Sequence, residues 1–262
     1  MSLSRRMWAA AKAALVHFLG SVFVAVLAAG LVFLIWYPHP YGLLSGGLSL
    51  FLILVSVDVT CGPLLTLILF NPRKSRRELF TDMTLVLLIQ LAALAYGIYV
   101  VHQARPLFLV HEVDRFRVIS LPDYNGEDVH QPLAALSPAI RPHWLRGPVT
   151  VGIRAPLNPR ERQDVMLDSM FGGRDYSQRP DFYVPYDAAY QAKAMARAKP
   201  LKAFTNHFTT ATNDAIGLLN DHGLELSDAY FLPILHKQEW VAVMDQSAHI
   251  LGFLPGDGFV VP

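Results

Sequence analysis

Residues 48–70 read LSLFLILVSVDVTCGPLLTLILF, an apolar run whose single charged residue is Asp58. At 1.5 Å rise per residue a helix over this run is long enough for a hydrocarbon core of ~30 Å. Runs of the same kind flank it, at residues 13–37 and 83–102. A buried helical hairpin in a soluble protein is the plainer alternative, but three such runs so close together leave too little polar surface to cover them. Arg5, Arg6 and Lys12 resemble the basic start of a cleaved signal peptide. The first run is too long for that and has no clean A-x-A site before two further spans, so it reads as an uncleaved anchor.

The whole chain is 53% apolar and only 16% charged, yet most Asp and Glu fall after residue 105. This uneven distribution divides it into a three-helix transmembrane unit, residues 1–104, and a water-soluble domain, residues 105–262. The net charge of +1, with Lys and Arg scattered over short loops, gives no nucleic-acid footprint. Cys61, the one cysteine, excludes an intramolecular disulfide and a Cys-based zinc site.

Flanking charges set the expected orientation. Arg5, Arg6 and Lys12 precede the first span, the link 38–47 has no Lys or Arg, and the second link carries Arg73, Lys74, Arg76 and Arg77. The positive-inside rule therefore puts the N-terminus and the second link in the cytoplasm. The domain then lies outside, in the periplasm of a bacterium with two membranes. Trp36, Tyr37 and Tyr41 are expected in an aromatic belt at the outer interface, and Pro38 and Pro40 to end the first helix. Ser75-Arg-Arg-Glu78, after the Asn71-Pro72 turn, is a capping-box pattern. It predicts a tight antiparallel hairpin of the second and third helices with a basic tip.

Asp58, with Thr60, Gly62 and Pro63 close by, is the candidate polar site of the membrane unit. An aspartate at mid-span costs about 2.5–3.5 kcal/mol on insertion scales, so it needs a partner. It either faces a partner helix or is satisfied within the bundle, where Gln90 of the third span is an available partner and fixes packing. Just outside the third span, Arg105 is expected to snorkel or meet headgroups. Glu112, Asp114 and Arg115 are expected to order the neck between bundle and domain, or else to face solvent on a plain strand.

In the soluble half, residues 107–120 read as one or two strands and Val149–Ile153 as another. The proline-rich stretch 121–148 between them reads as an irregular, mobile loop. Asn158-Pro-Arg-Glu161 starts a helix that Gly172 can end. Further helices are expected over about 186–199 and 208–222, the latter closed by Gly223. Residues 229–235, 240–244 and 250–254 form an antiparallel meander with Pro233 at an edge or bulge. The expected architecture is α+β: an antiparallel sheet of about five strands with helices on one side.

No catalytic constellation stands out: G-x-S-x-G, Walker, H-E-x-x-H and strand-borne G-x-G-x-x-G patterns are absent. The ten histidines do not fall at metal-ligand spacing. Neither a cofactor nor enzymatic activity is expected; a membrane enzyme would need paired ionisable residues in the bundle, for which the spans offer only Asp58.

One series of segments carries a resemblance: Trp36-Tyr37-Pro38, Ser45-Gly46-Gly47, Val57-Asp58-Val59, Gly62-Pro63-Leu64-Leu65-Thr66, Phe70-Asn71-Pro72-Arg73-Lys74-Ser75, QLAALAYG at 90–97, and Glu112-Val-Asp-Arg-Phe116. In order and spacing it resembles the TfpX/TfpZ type IV pilin accessory proteins, densely from about Trp8 to Val118 and more thinly afterwards. The resemblance implies a non-enzymatic inner-membrane protein that assists assembly or dynamics of the type IV pilus, with pilin and other pilus assembly proteins as partners. A two-level grip follows as an expectation. The bundle, through Asp58 or the small residues Ala92, Ala93 and Ala95, holds the pilin helix, and the soluble domain reads the pilin head. The rival expectation is a membrane-tethered periplasmic ligand sensor, which would show a deep apolar pocket in the domain.

Overall fold

The computed structural model describes residues 3–262. Three helices are long and apolar enough to cross a membrane: α1 (Leu3–Leu31), extended by a wide π-helical turn at Val32–Trp36; α3 (Gly47–Leu69); and α4 (Arg76–Gln103). A four-residue helix, α2 (Tyr41–Leu44), lies in the first link. Ser75 caps α4 as expected: its hydroxyl accepts from Glu78 N at 3.2 Å, and Ser75 N donates to the Glu78 carboxylate at 3.0 Å. Large apolar side chains such as Phe23, Leu27, Ile68 and Leu88 stand exposed on these helices, the surface that lipid would cover.

The domain is built from β1 (Pro106–Glu112), β2 (Arg115–Ser120), α5 (His130–Ala135), β3 (Val149–Ile153), α6 (Pro159–Met170), β4 (Tyr183–Pro185), α7 (Ala188–Met195), β5 (Lys199–Pro200), α8 (Leu201–His207), α9 (Thr212–Asp221), β6 (Tyr230–Leu235), β7 (Trp240–Met244) and β8 (Ile250–Pro255). The eight strands make one sheet in the order β4-β3-β1-β2-β6-β7-β8, with β5 on β6. Most pairings are antiparallel, and β1–β3 and β2–β6 are parallel. The sheet is larger than the five strands expected because β4 and β5 are too short to show an alternating pattern.

Helices cover both faces of the sheet, not one. Alternation along β6 and β7 sends Leu232, Ile234, Trp240 and Met244 to one face and Phe231, Val241 and Val243 to the other, where α8 and α9 pack. Pro233 lies in a central strand instead of at an edge. Next to it β6 changes partner, from β5 at Tyr230 and Phe231 to β2 at Ile234 and Leu235, so the missing N–H falls at a gap in the ladder.

The stretch 121–148 is a packed strap, in contrast to the mobile loop expected. Its Tyr124, Val129, Leu136 and Ile140 are buried against Phe108, Val110 and Val151. Isolated apolar residues among prolines carry no periodicity, so this packing left no pattern in the sequence. Asn158 caps α6 through Glu161 N at 2.9 Å, and Gly172 and Gly223 take the left-handed φ values of +80° and +67° that end α6 and α9.

Tyr37 and Tyr41 are 2% and 7% exposed, and Trp36 is 4% exposed, which corrects the expected aromatic belt. Tyr41 and Leu44 enter the apolar core of the domain beside Leu109, Phe116 and Trp240. Trp36 Nε1 donates to the carbonyl of Trp144 in the strap at 2.8 Å, and Tyr37 OH donates to Val101 O at 3.0 Å. The first link is thus a plug that joins bundle and domain.

Candidate functional site

The three long helices do not form a closed bundle. α3 packs against both α1 and α4, whereas α4 meets α1 chiefly through the turn at Val32–Trp36. Away from that turn the two outer helices leave a cleft floored by α3. Two adjoining cavities fill it, of about 620 and 230 Å3, and both are lined by His17 and Leu87.

Polar side chains gather along this cleft. Gln90 Nε2 on α4 donates to the Asp58 carbonyl at 3.0 Å and to its carboxylate at 3.3 Å. Gly62, one turn beyond Asp58, makes this possible. A Cβ there would overlap the Gln90 amide, so only glycine admits the side chain so close to the α3 backbone. Another turn on, Thr66 Oγ1 lies 2.6 Å from His17 Nδ1 on α1. Ser21, one turn along α1 from His17, lines the smaller cavity with Asp58 and Gln90. The Gln90 Oε1 atom is buried and has no hydrogen-bond partner. The Asp58 carboxyl at the edge of the smaller cavity is an acceptor that an incoming donor can reach.

The structure brings only some of the expected residues together. Asp58, Gly62 and Gln90 share the cleft, while Thr60 is exposed away from it. Pro63 sits inside α3, where its missing N–H leaves the Val59 carbonyl without a helical donor. Ala92, Ala93 and Ala95 are exposed on α4. His17 corrects the expectation that Asp58 is the only ionisable residue of the bundle. It stands alone in an apolar run, which is signal enough in a membrane helix. Ser21 and Thr66 carried no such signal, because hydroxyls are common in spans.

The basic link carries Arg73, Lys74, Arg76 and Arg77 at the far end of the bundle from the domain. Lys74 Nζ pairs with Asp82 at 2.5 Å, and Arg76 and Arg77 are exposed. The neck residues separate. Arg105 is 7% exposed and turned inward, its Nη1 2.5 Å from His102 Nε2, in place of a snorkelling side chain. Glu112, Asp114 and Arg115 lie at the β1–β2 turn, the end of β1 away from α4. At ~3.3 Å per residue that turn is roughly 20 Å along β1 from the end of α4. There Asp114 pairs with Arg115 at 2.7 Å, which holds its carboxyl below the usual range. Burial pushes the Glu112 carboxyl up, against a hydrogen bond of 3.1 Å from Ser177. Among the described residues no group of three His, Cys, Asp or Glu side chains is placed to hold a metal ion.

Residues 5–46, which span α1, the wide turn and the plug, match the family described as fimbrial assembly protein FimB. A fimbrial assembly protein of serogroup I from Dichelobacter nodosus is 36% identical over 253 residues, covering 95% of this chain and 96% of the relative. The chain belongs to this family of fimbrial assembly proteins. A second relative in the family, of serogroup E1, is 35% identical over the same lengths. The fimbrial assembly protein of serogroups C1 and C2 is 46% identical over 122 residues, 47% of this chain and 93% of its own. No solved structure matches the chain.

Proposed function

We propose that the protein acts in type IV pilus assembly from within the bacterial inner membrane, as a non-enzymatic accessory protein that holds a pilin helix in the cleft between α1 and α4. The full-length correspondence to fimbrial assembly proteins carries the reading. The cleft supplies its mechanism. A transmembrane helix can lie between two helices with α3 as floor, and a donor on it would satisfy the Asp58 carboxyl, which lines the smaller cavity. The resemblance to the TfpX/TfpZ accessory proteins supports pilin as the occupant.

The orientation in this reading is N-terminus and basic link in the cytoplasm, domain in the periplasm. Tyr41 and Leu44 of the Lys- and Arg-free link pack into the domain, while Arg73, Lys74, Arg76 and Arg77 lie at the opposite end, as the positive-inside rule asks. The domain would then read the pilin head above the same helix. Two grooves on the domain, of about 720 Å3 beside α9 and 630 Å3 beside α7, lie at its surface, unlike the deep pocket a ligand sensor needs.

Gly20→Leu tests the cleft directly. Gly20 lines it, and a Cβ there meets nothing within 4 Å, so the larger side chain fills the space without a clash. Pilin should co-purify with the wild-type chain in mild detergent and be lost from Gly20→Leu. Equal recovery would reject the cleft as the pilin site.

A further inference from the structure

We propose that the cavity where α4 meets the domain binds the phosphate of an anionic lipid headgroup. This inference rests on the membrane reading of the three helices and is independent of the pilin reading. The cavity holds about 560 Å3 and is lined by Tyr99, His102, Arg105, His130, Leu133 and Arg141 among others, with no Asp or Glu.

Arg105 is its decisive feature. The side chain is 7% exposed, and among the described residues it forms no ion pair with a carboxylate. Its hydrogen bonds run to His102 alone, at the ring and, from Nη1, at the carbonyl at 3.0 Å. A guanidinium withdrawn from water without an anion is costly. Arg141 is held in place by its own bonds to the Leu136 carbonyl, at 3.2 Å from Nε and 2.8 Å from Nη2. Two guanidiniums and two imidazoles around one space match a phosphate, whose oxygens accept bidentate hydrogen bonds from arginine.

Position selects the source of that phosphate. Tyr99 is 56% exposed on the face of α4 that lipid chains cover, and it lines the same cavity. A phospholipid can therefore lay its acyl chains against α4 with its headgroup at Arg105. Basic pockets at the ends of spans recognise acidic headgroups in this way.

Native mass spectrometry of the full-length protein in non-ionic detergent tests the site, with phosphatidylglycerol, phosphatidylcholine and inorganic phosphate as separate additions. Phosphatidylglycerol adducts should persist on the wild type. They should weaken about tenfold in Arg105→Gln, the loss expected when a charged hydrogen bond is removed. Arg141→Gln, at an exposed residue whose lost bonds to the Leu136 carbonyl lie at the surface strap and not in the sheet, should weaken them too, and so serves if Arg105→Gln does not fold. Arg115→Gln, at the distant turn, should retain them. Equal adducts on wild type and Arg141→Gln, or equal retention of phosphatidylcholine, would overturn the proposal. Displacement of the lipid by millimolar inorganic phosphate would overturn the lipid source and make this a soluble-anion site.

Discussion

Gln90 on α4 reaches across to Asp58 on α3, its amide nitrogen 3.0 Å from the Asp58 carbonyl and 3.3 Å from the carboxylate, and it keeps its own amide oxygen buried without a donor. The pair therefore joins two helices and leaves the half-buried Asp58 carboxyl at the edge of the cleft. Asp58→Asn keeps an oxygen for Gln90 and puts an amide donor where the second carboxyl oxygen stood. Its melting should stay within about 0.5 kcal/mol of wild type, the range of a substitution that breaks no contact, while pilin binding and piliation fall. An unchanged piliation phenotype would make Asp58 a packing residue only.

Gly62→Ala places a methyl group where the Gln90 amide lies. Overpacking of this kind costs about 1–3 kcal/mol, read as a lower melting temperature of the purified protein in detergent. Gly62→Ala combined with Gln90→Ala removes the clash and should recover part of the loss. An additive double variant would show that the two positions do not touch.

Leu44 is fully buried in the core of the domain although it belongs to the link between the first two spans. Leu44→Ala should cost about 2–5 kcal/mol, the range for a leucine truncated in a packed core, and the loss should show in melting of the domain. An effect below 0.5 kcal/mol, as for a surface site, would mean that the plug is not seated.

His111 is buried among Phe116, Tyr186 and Tyr190, with Nε2 unpartnered, and burial pushes its imidazole down to about 4 despite Asp114 nearby. A depressed pKa means that the unfolded chain takes the proton first. Stability is then full above the ordinary histidine value and falls as pH drops toward 4, by up to about 3 kcal/mol. Glu112, pushed up by burial, acts in the opposite sense, so the comparison to make is wild type against His111→Phe. That variant keeps the bonds from Tyr190 OH to the His111 carbonyl and from Ile153 N to Tyr190 OH. Melting of the wild type between pH 7 and pH 4.5 should fall more steeply than that of His111→Phe; parallel slopes would exclude His111 as the titrating group.

The membrane half was legible because length and apolarity alone specify a span, and because Ser75–Glu78 and Asp58–Gln90 are local or singular signals. The closing meander was legible for the same kind of reason: alternation at 230–254 continues across short turns. What was hidden depends on contacts between distant segments. Tyr41 and Leu44 look like ordinary loop residues until the sheet closes over them, and Trp36 finds its acceptor in Trp144, 108 positions away. The cleft was hidden too, since the divergence of α1 and α4 follows from how the helices pack and leaves no pattern in either one. The α4 residue Gln90 could be paired with Asp58 on sight, but His17 and Thr66 meet only because α1 lies against α3.

The most direct test of the cleft as a pilin site is site-specific photocrosslinking in cells that express the cognate pilin. The probe is placed at Leu91, inside the cleft, and at Thr60, exposed away from it. The account predicts a pilin adduct from Leu91 and none from Thr60. Pilin adducts of equal yield from both positions, or none from Leu91 while the probe labels lipid, would contradict it.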